Sequence, residues 1–217
     1  MPCHPLYSTV TGCSLISLEG IEFCVRLRTY IQFDLQNLPP HLPFATNLPT
    51  TILVNLLHLL TSYPQLDPLN ASELLSLNAA LTQYEILPNV RPALANHIAK
   101  TSEFICGGNI VTRQPIIQIL ELIRIFQVSQ LLNKLLRRLF HDDWKRHLHF
   151  HQWTNRDRAR VGDRLYKMFQ YLVNLKNQVN SVWIEMDPES GIITIYQGQG
   201  DVYVNGTVDR HRVLGVY

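Results

Sequence analysis

The histidines near residue 150 have the spacing that comes closest to a metal site in this chain. His147 and His151 would share one face of a helix, four residues apart, which suits a zinc ion. His141 and His149 lie beside them, but no Glu follows His147 as in the H-E-x-x-H pattern, and no cysteine is near. We therefore interpret the cluster as a solvated histidine face and expect no metal ligand here.

Other signatures of enzyme chemistry are weak. The pair Gly107-Gly108 precedes a helical segment, but no strand leads into it and no Lys-Ser or Lys-Thr follows, so we interpret it as a turn rather than a phosphate-binding loop. The chain offers no clear grouping of a nucleophile, a base and a residue that orients them. The sequence therefore predicts a protein that is not an enzyme, with no catalytic residue and no cofactor.

A basic segment covers residues 134–167. It holds ten Lys or Arg residues and four Asp residues, with Trp144, Phe150 and Trp153 between them. Basic residues that alternate with aromatic ones are typical of a nucleic-acid surface, where they contact phosphates and stack on bases. The alternative is a solvated helix face with local Asp–Arg pairs, or a surface for an acidic protein. The basic patch proper consists of Arg156, Arg158, Arg160, Arg164 and Lys167.

Composition limits the class of protein. The chain has 217 residues, of which 46% are hydrophobic and 17% charged, and a net charge of +2, so it can bury a core and is not wholly disordered. Its four cysteines form no C-x-x-C pair, and we interpret Cys24 and Cys106 as buried small residues. No secretory signal and no membrane span is visible. We expect a reduced, intracellular protein of the cytoplasm or nucleus.

The first half of the chain alternates short strands and helices. Residues 14–25 predict a hairpin that turns at Glu19-Gly20, and residues 27–38 have helical spacing up to Pro39-Pro40. A short strand is predicted within residues 42–45. A helix with a wide apolar face then follows Pro49.

Two helical hairpins follow, related by a constant offset. Residues 73–98 predict a helix, a short break and a second helix. When this segment is aligned with the residues 42 positions later, nine apolar residues fall on apolar residues, for example Tyr84 on Phe126. We therefore predict a similar hairpin over residues 115–140. The alternative is that two leucine-rich helices align by chance, because they share a period of 3.6 residues.

The last third of the chain changes period. Residues 156–178 predict one amphipathic helix with Val161, Leu165, Met168 and Phe169 on its apolar side. Residues 181–186 and 192–196 predict a β-hairpin, and short strands are also predicted near 201–205 and 212–217. The chain is therefore expected to end in a small antiparallel β unit.

Several segments, taken in order, resemble the BTB/POZ superfamily in its compact Skp and elongin C form. Residues 19–25, Glu-Gly-Ile-Glu-Phe-Cys-Val, look like the opening hairpin of that family, and residues 44–53 resemble its strand that leads into a helix. Residues 74–90 resemble its "LLxAAxYLxIxxL" hairpin. The resemblance covers about residues 14–100. The second hairpin departs from the polar tail of Skp and looks more like the start of a BACK domain.

Together, the resemblance and the pattern of the remaining residues predict an α+β, mainly helical fold. We expect a BTB/POZ-like module at 14–100, a helical extension with a BACK-like hairpin and the basic helix at 101–179, and a small β unit at 180–217, which lies outside the resemblance. For residues 14–100 the resemblance also implies a function. It implies an interaction adaptor that links a cullin-type ubiquitin ligase scaffold to a partner helix, and that can also form homo-oligomers. The cullin-facing residues would be Gln83, Tyr84, Glu85 and Leu87. The alternative function is a nucleic-acid-associated, perhaps viral, protein that uses the basic segment.

Overall fold

The structure of the chain is a computed structural model. It describes residues 2–8, 13–31, 33, 42–61, 66–107, 113–141, 152–174, 182–187, 189–190, 192–197 and 212–216, and for 87, 89, 139–141, 172–174, 182–183, 185–186, 197 and 212–215 it describes the backbone alone. The chain divides into two compact units, residues 1–69 with 73–94 (unit 1) and residues 70–72 with 95–217 (unit 2). The three-part division expected from the sequence stays a prediction.

Unit 1 contains a three-stranded sheet. The predicted hairpin is confirmed as β1 (Cys13–Ile16) and β2 (Glu22–Val25), which pair antiparallel, and Gly20 adopts φ +77° in the turn between them. β3 (Phe44–Ala45) pairs parallel to β1, so the strand order is β2-β1-β3. A positive φ is easily adopted by glycine, which explains the Glu-Gly turn.

The helices of the first half are α1 (Leu27–Ile31), α2 (Thr50–Leu60), α3 (Ala71–Gln83) and α4 (Leu87–Lys100). The helix after Pro49 and the first helical hairpin are thus confirmed. The remainder of the helix predicted to reach residue 38 lies outside the described residues, apart from Phe33.

The helical spacing expected for α1 agrees with the structure only in part. Of the three apolar residues of that spacing within α1, Tyr30 is buried, but Leu27 and Ile31 are exposed; Phe33, which follows the helix, is also buried. The reason is local: the Tyr30 hydroxyl donates to the carbonyl of Leu42 (3.0 Å), which turns that side of the helix inward. The apolar residues predicted for the first hairpin are buried, as expected; they are Leu74, Leu77, Leu81, Tyr84, Ile86, Val90 and Leu94.

Unit 2 contains α5 (Ser102–Gly107) and the second hairpin, α6 (Arg113–Phe126) and α7 (Ser129–His141). Shifted by 42 residues, the start of α3 falls on the start of α6 and that of α4 on the start of α7, and the helix ends agree within one residue. The offset also places Glu85 (φ +56°) on Gln127 (φ +55°), the left-handed residue of each break. The predicted repeat is therefore confirmed in its helix boundaries.

The single amphipathic helix predicted for residues 156–178 is wrong. The structure has α8 (Asn155–Val161) and α9 (Asp163–Asn174), separated by Gly162 at φ +84° and ψ +147°. A helix cannot continue through that conformation, which glycine alone adopts easily. The apolar residues predicted for this stretch are nevertheless buried, as Val161, Leu165, Met168 and Phe169 show.

The predicted C-terminal β unit is confirmed as a second antiparallel sheet in the order β4 (Val182–Met186), β5 (Ile193–Gln197), β6 (Arg212–Val216). The strand predicted near 201–205 lies outside the described residues. α7 packs on β4, where the Asn133 side chain donates to the carbonyl of Ile184 (2.7 Å) and accepts from its N–H (3.0 Å).

Among the described residues the fold is therefore α+β and mainly helical. No helix in these ranges combines the length and the apolar character that a membrane crossing requires.

Candidate interaction surface

The break between α3 and α4 is held by the backbone of α3. The N–H of Ile86 donates to the carbonyl of Leu81 (2.8 Å), and the N–H of Glu85 donates to the carbonyl of Thr82 (3.1 Å). With Glu85 in the left-handed region, this is the hydrogen-bond pattern of a Schellman motif, which satisfies the last carbonyls of a helix. The connection therefore has a defined shape of its own.

Tyr84 anchors this connection to the rest of unit 1. Its side chain is buried, its hydroxyl donates to the carbonyl of Thr46 (3.1 Å), and its ring centroid lies 5.0 Å from that of Phe33. Burial raises the pKa of the Tyr84 phenol, so the group stays protonated and keeps donating at neutral pH. A buried tyrosine with a satisfied hydroxyl fixes the position of its neighbours.

The four residues predicted to face a cullin divide by burial. Gln83 and Glu85 are exposed, as expected for side chains that point outward. Tyr84 is only 5% exposed, so we correct its role from contact residue to anchor. Leu87 begins α4, and its side chain lies outside the described residues.

Two prolines follow the connection, and they occupy different positions in α4. Pro88 is in the first turn of α4, where its missing N–H costs no hydrogen bond, but Pro92 lies inside the helix. At that position proline removes one intrahelical hydrogen bond. Only Pro88 can therefore stiffen the connection directly.

A contact near the start of α2 was not foreseen from the sequence. The carboxylate of Glu19, in the β1–β2 turn, accepts from the N–H of Thr50 (2.7 Å) and from its hydroxyl (2.6 Å). Pro49, at the cap position, has no side chain that can do this. These hydrogen bonds hold the pKa of Glu19 below its usual value. No local pattern links two residues so far apart in sequence.

The basic patch is largely engaged within unit 2. Arg160 contacts the carboxylate of Glu121 through Nε (2.8 Å) and Nη2 (2.7 Å), and the guanidinium of Arg158 lies 4.5 Å from the ring centre of Tyr166. Such contacts hold the charged groups against their own chain. The sequence suggested pairs between Asp and Arg residues that are adjacent in the chain, but Arg160 forms its ion pair with Glu121 of α6.

The other residues of the patch follow α8 and α9. Arg164 donates through Nη1 to the carbonyl of Ser190 (3.1 Å), and Lys167 forms an ion pair with Asp163 one turn earlier (2.9 Å). Arg156 is exposed. The structure therefore places these side chains on two helices that meet at Gly162, and not along one continuous face.

Asp157 organises the start of α8. It forms a capping box with Thr154, and its carboxylate pairs with Arg113 (3.0 Å). Burial alone would raise the pKa of this carboxyl, but the hydrogen bonds from Thr154 and the charges of Arg113 and Arg160 lower it. A structural role thus accounts for one of the acidic residues of the basic segment.

A cleft of about 300 Å³ lies where α8 meets α9. Its lining includes apolar Val161, Leu165 and Ile193 and the charged side chains Arg124 and Arg164. The two arginines already donate to the carbonyls of Arg160 and Ser190. Sequence reasoning did not find this cleft, because it depends on the break at Gly162.

The remaining candidates for chemistry are less informative. His147, His149 and His151 lie outside the described residues, and His141 is described by its backbone alone; within the described ranges no group of His, Cys, Asp and Glu is arranged to hold a metal. Cys106 is buried, as expected, and burial raises its pKa to about 12. Cys24 is only half-buried, so the expectation of a buried residue is wrong for it.

The two candidate surfaces therefore differ in kind. The connection at 83–87 presents two exposed side chains beside a buried anchor, whereas most side chains of the basic patch are held by contacts within unit 2. No protein-family model, no curated protein and no solved structure matches the chain.

Proposed function

We propose that the chain is a non-enzymatic protein–protein interaction adaptor that links a cullin-type ubiquitin ligase scaffold to a partner. The observation that carries this proposal is the connection between α3 and α4, where exposed Gln83 and Glu85 flank the buried anchor Tyr84. A partner that contacts this pair meets a surface with a fixed backbone, so binding requires little ordering of the chain.

The arrangement of unit 1 supports the same proposal. An antiparallel strand pair, a helix, a strand parallel to the first one, a further helix and a helical hairpin follow one another along the chain. That is the order of elements on which the resemblance to the Skp and elongin C form of the BTB/POZ superfamily rests. A fold hosts more than one function, so the argument depends on the exposed pair rather than on the order alone.

The test is a double substitution, Gln83→Ala with Glu85→Arg, in the full chain. We expect thermal stability near that of the unmodified protein, because both side chains are exposed, and at least about tenfold weaker binding to a purified cullin, because a reversed charge at an interface is unfavourable. Binding is measured by co-purification and by titration calorimetry.

The matched control is Gln127→Arg, which places the same new charge at the equivalent left-handed residue of the second hairpin. It should leave cullin binding unchanged. If the unmodified protein binds no cullin, or if the double variant binds as well as the control, the adaptor proposal fails.

The alternative function, nucleic-acid binding through the basic patch, has less support. Arg158, Arg160 and Lys167 already contact Tyr166, Glu121 and Asp163 within their own unit. Phosphate binding would have to compete with these contacts. The two functions differ in their salt dependence: binding of random DNA or RNA through several phosphates weakens steeply as salt increases, whereas docking on a protein surface does so much less.

A further inference from the structure

The first residues of the chain lie along the outer side of β2. The N–H of His4 donates to the carbonyl of Glu22 (2.8 Å), and the N–H of Glu22 donates to the carbonyl of Pro2 (3.0 Å), so that Cys3 pairs with Glu22 in a parallel bridge. The His4 ring also stacks on Phe23, with centroids 4.8 Å apart. This segment is thus attached to the edge of the sheet by backbone and by side chain.

This pairing brings two thiols together. Cys24 lies two residues beyond Glu22 on β2, so it shares a face of the strand with Glu22 and is reached by Cys3. The two Sγ atoms are 3.8 Å apart, and Cys3 is exposed. A disulfide requires the sulfurs to approach to about 2 Å, so the two side chains must move closer together by about 2 Å.

We propose that Cys3 and Cys24 form a modification site, a dithiol that a low-molecular-weight disulfide such as oxidised glutathione converts to an intramolecular disulfide. The product ties the first residues of the chain to β2 covalently. Reduction by excess thiol restores the free pair.

The reaction proceeds by two thiol–disulfide exchanges. Cys3, as the exposed thiol, loses its proton to solvent, and its thiolate attacks one sulfur of glutathione disulfide; a Cys3–glutathione bond forms, and one glutathione thiolate leaves and takes up a proton. Cys24 then loses its proton to solvent and its thiolate attacks the sulfur of Cys3; a Cys3–Cys24 bond forms, the Cys3–glutathione bond breaks, and the second glutathione leaves as a thiolate that takes up a proton. Two protein thiols are oxidised and one glutathione disulfide is reduced to two glutathione molecules.

The other two cysteines provide internal controls. Cys13 and Cys106 are buried, and burial raises the pKa of both thiols, so neither forms an accessible thiolate near neutral pH. Burial and the neighbouring Cys3 also raise the pKa of Cys24. Cys3 is therefore the entry point, and Cys24 reacts only once it is adjacent to a mixed disulfide.

The experiment treats the full chain with oxidised glutathione and measures its intact mass; the remaining thiols are then blocked by alkylation, and linked peptides are identified after digestion. Before alkylation we expect a monomer that is lighter by about 2 Da, after digestion a peptide that joins Cys3 to Cys24, and we expect dithiothreitol to reverse the change. The variant Cys24→Ser should stop at a glutathione adduct on Cys3. The variant Cys3→Ser should react at least about tenfold more slowly, and Cys106→Ser should behave like the unmodified chain.

Three results would overturn the proposal. One is a glutathione adduct that accumulates on Cys3 of the unmodified chain without a cross-link. Another is a disulfide between two chains, or one that involves Cys13 or Cys106. The last is a chain that stays fully reduced while an exposed model thiol is oxidised under the same conditions. Because Cys3 and Cys24 are each substituted separately, failure of one variant to fold leaves the other to decide.

Discussion

Leu81 illustrates what a single side chain contributes to the first helical hairpin. It is fully buried in α3, and its carbonyl accepts the hydrogen bond that closes the connection to α4. Substitution Leu81→Ala removes buried methyl groups and leaves a cavity, so we expect the free energy of unfolding to fall by about 2–5 kcal/mol in urea titrations. Leu18→Ala, at a leucine that is 64% exposed, is the matched control and should change it by less than about 0.5 kcal/mol. Equal effects of the two substitutions would contradict the buried position of Leu81.

Asp157 and Asp163 allow a comparison of two acidic residues in the basic segment. Asp157 is buried and closes a capping box and an ion pair, whereas Asp163 forms an exposed ion pair with Lys167. We expect Asp157→Ala to lower the free energy of unfolding by about 2 kcal/mol, because the cap of α8 and the ion pair with Arg113 are lost together. Asp163→Ala should cost less than about 1 kcal/mol. Chemical unfolding of both variants checks this order, which the reverse result would refute.

At the scale of elements, the break between α8 and α9 depends on one glycine. Gly162 has a positive φ, and a Cβ there would lie 2.8 Å from Cδ of Arg124. We therefore expect Gly162→Ala to lower the free energy of unfolding by about 1–3 kcal/mol, because both backbone strain and a steric contact are introduced. Gly107→Ala is the control, since Gly107 has an ordinary φ inside α5 and open space around its Cα. If Gly162→Ala proves as harmless as this control, the break does not require glycine.

The two helical hairpins could be predicted because their information is local. Apolar residues such as Leu77 and Ile119 recur at helical spacing, and the 42-residue offset correctly anticipated the helix starts and ends. Even the left-handed residues, Glu85 and Gln127, fall at equivalent positions, although neither is the glycine that such a position favours. Local periodicity was thus sufficient for these four helices.

What could not be predicted depends on contacts between distant residues or on one backbone angle. The Glu19–Thr50 and Arg160–Glu121 contacts join residues more than 30 positions apart, and no pattern in a single sequence links them. The helical spacing of the apolar residues continues across Gly162, so the spacing alone predicted one helix and gave no sign of the break between α8 and α9. At the proposed interaction surface, the outward direction of Gln83 and Glu85 was predictable, but the hydrogen bond from Tyr84 to Thr46 was not.

For the molecule as a whole, the direction of the pKa shifts predicts how stability depends on pH. Burial lowers the pKa of His4 and His97, so the unfolded chain binds more protons than the folded one as the pH falls below about 6.5, and stability is lost there. Hydrogen bonds from Thr50 lower the pKa of Glu19, and hydrogen bonds from Thr154 together with nearby arginines lower the pKa of Asp157. The stability that these two carboxylates contribute is therefore fully present above their usual pKa, and it is lost as the pH falls further.

At alkaline pH the sign reverses. Burial raises the pKa of Cys106 to about 12, so above the usual thiol pKa near 9 the folded chain retains a proton that the unfolded chain releases, and stability falls. We expect maximal stability between about pH 7 and pH 8.5, measured by urea unfolding from pH 4 to pH 10 at constant ionic strength. His97→Gln should flatten the decline between pH 7 and pH 5. Stability that increases as the pH falls below 6 would be inconsistent with the lowered pKa of His4 and His97.

The side chain of Asn133 has a consequence for how the whole molecule behaves in a crowded solution. Its amide donates to the carbonyl of Ile184 and accepts from the N–H of Ile184, on the side of β4 that faces away from β5. These are the groups through which an edge strand would add a strand from another molecule and begin to aggregate. β4 is an edge strand among the described strands, and at Ile184 an asparagine of α7 occupies the position that a further strand would take. At this residue β4 is therefore closed to pairing with a second chain.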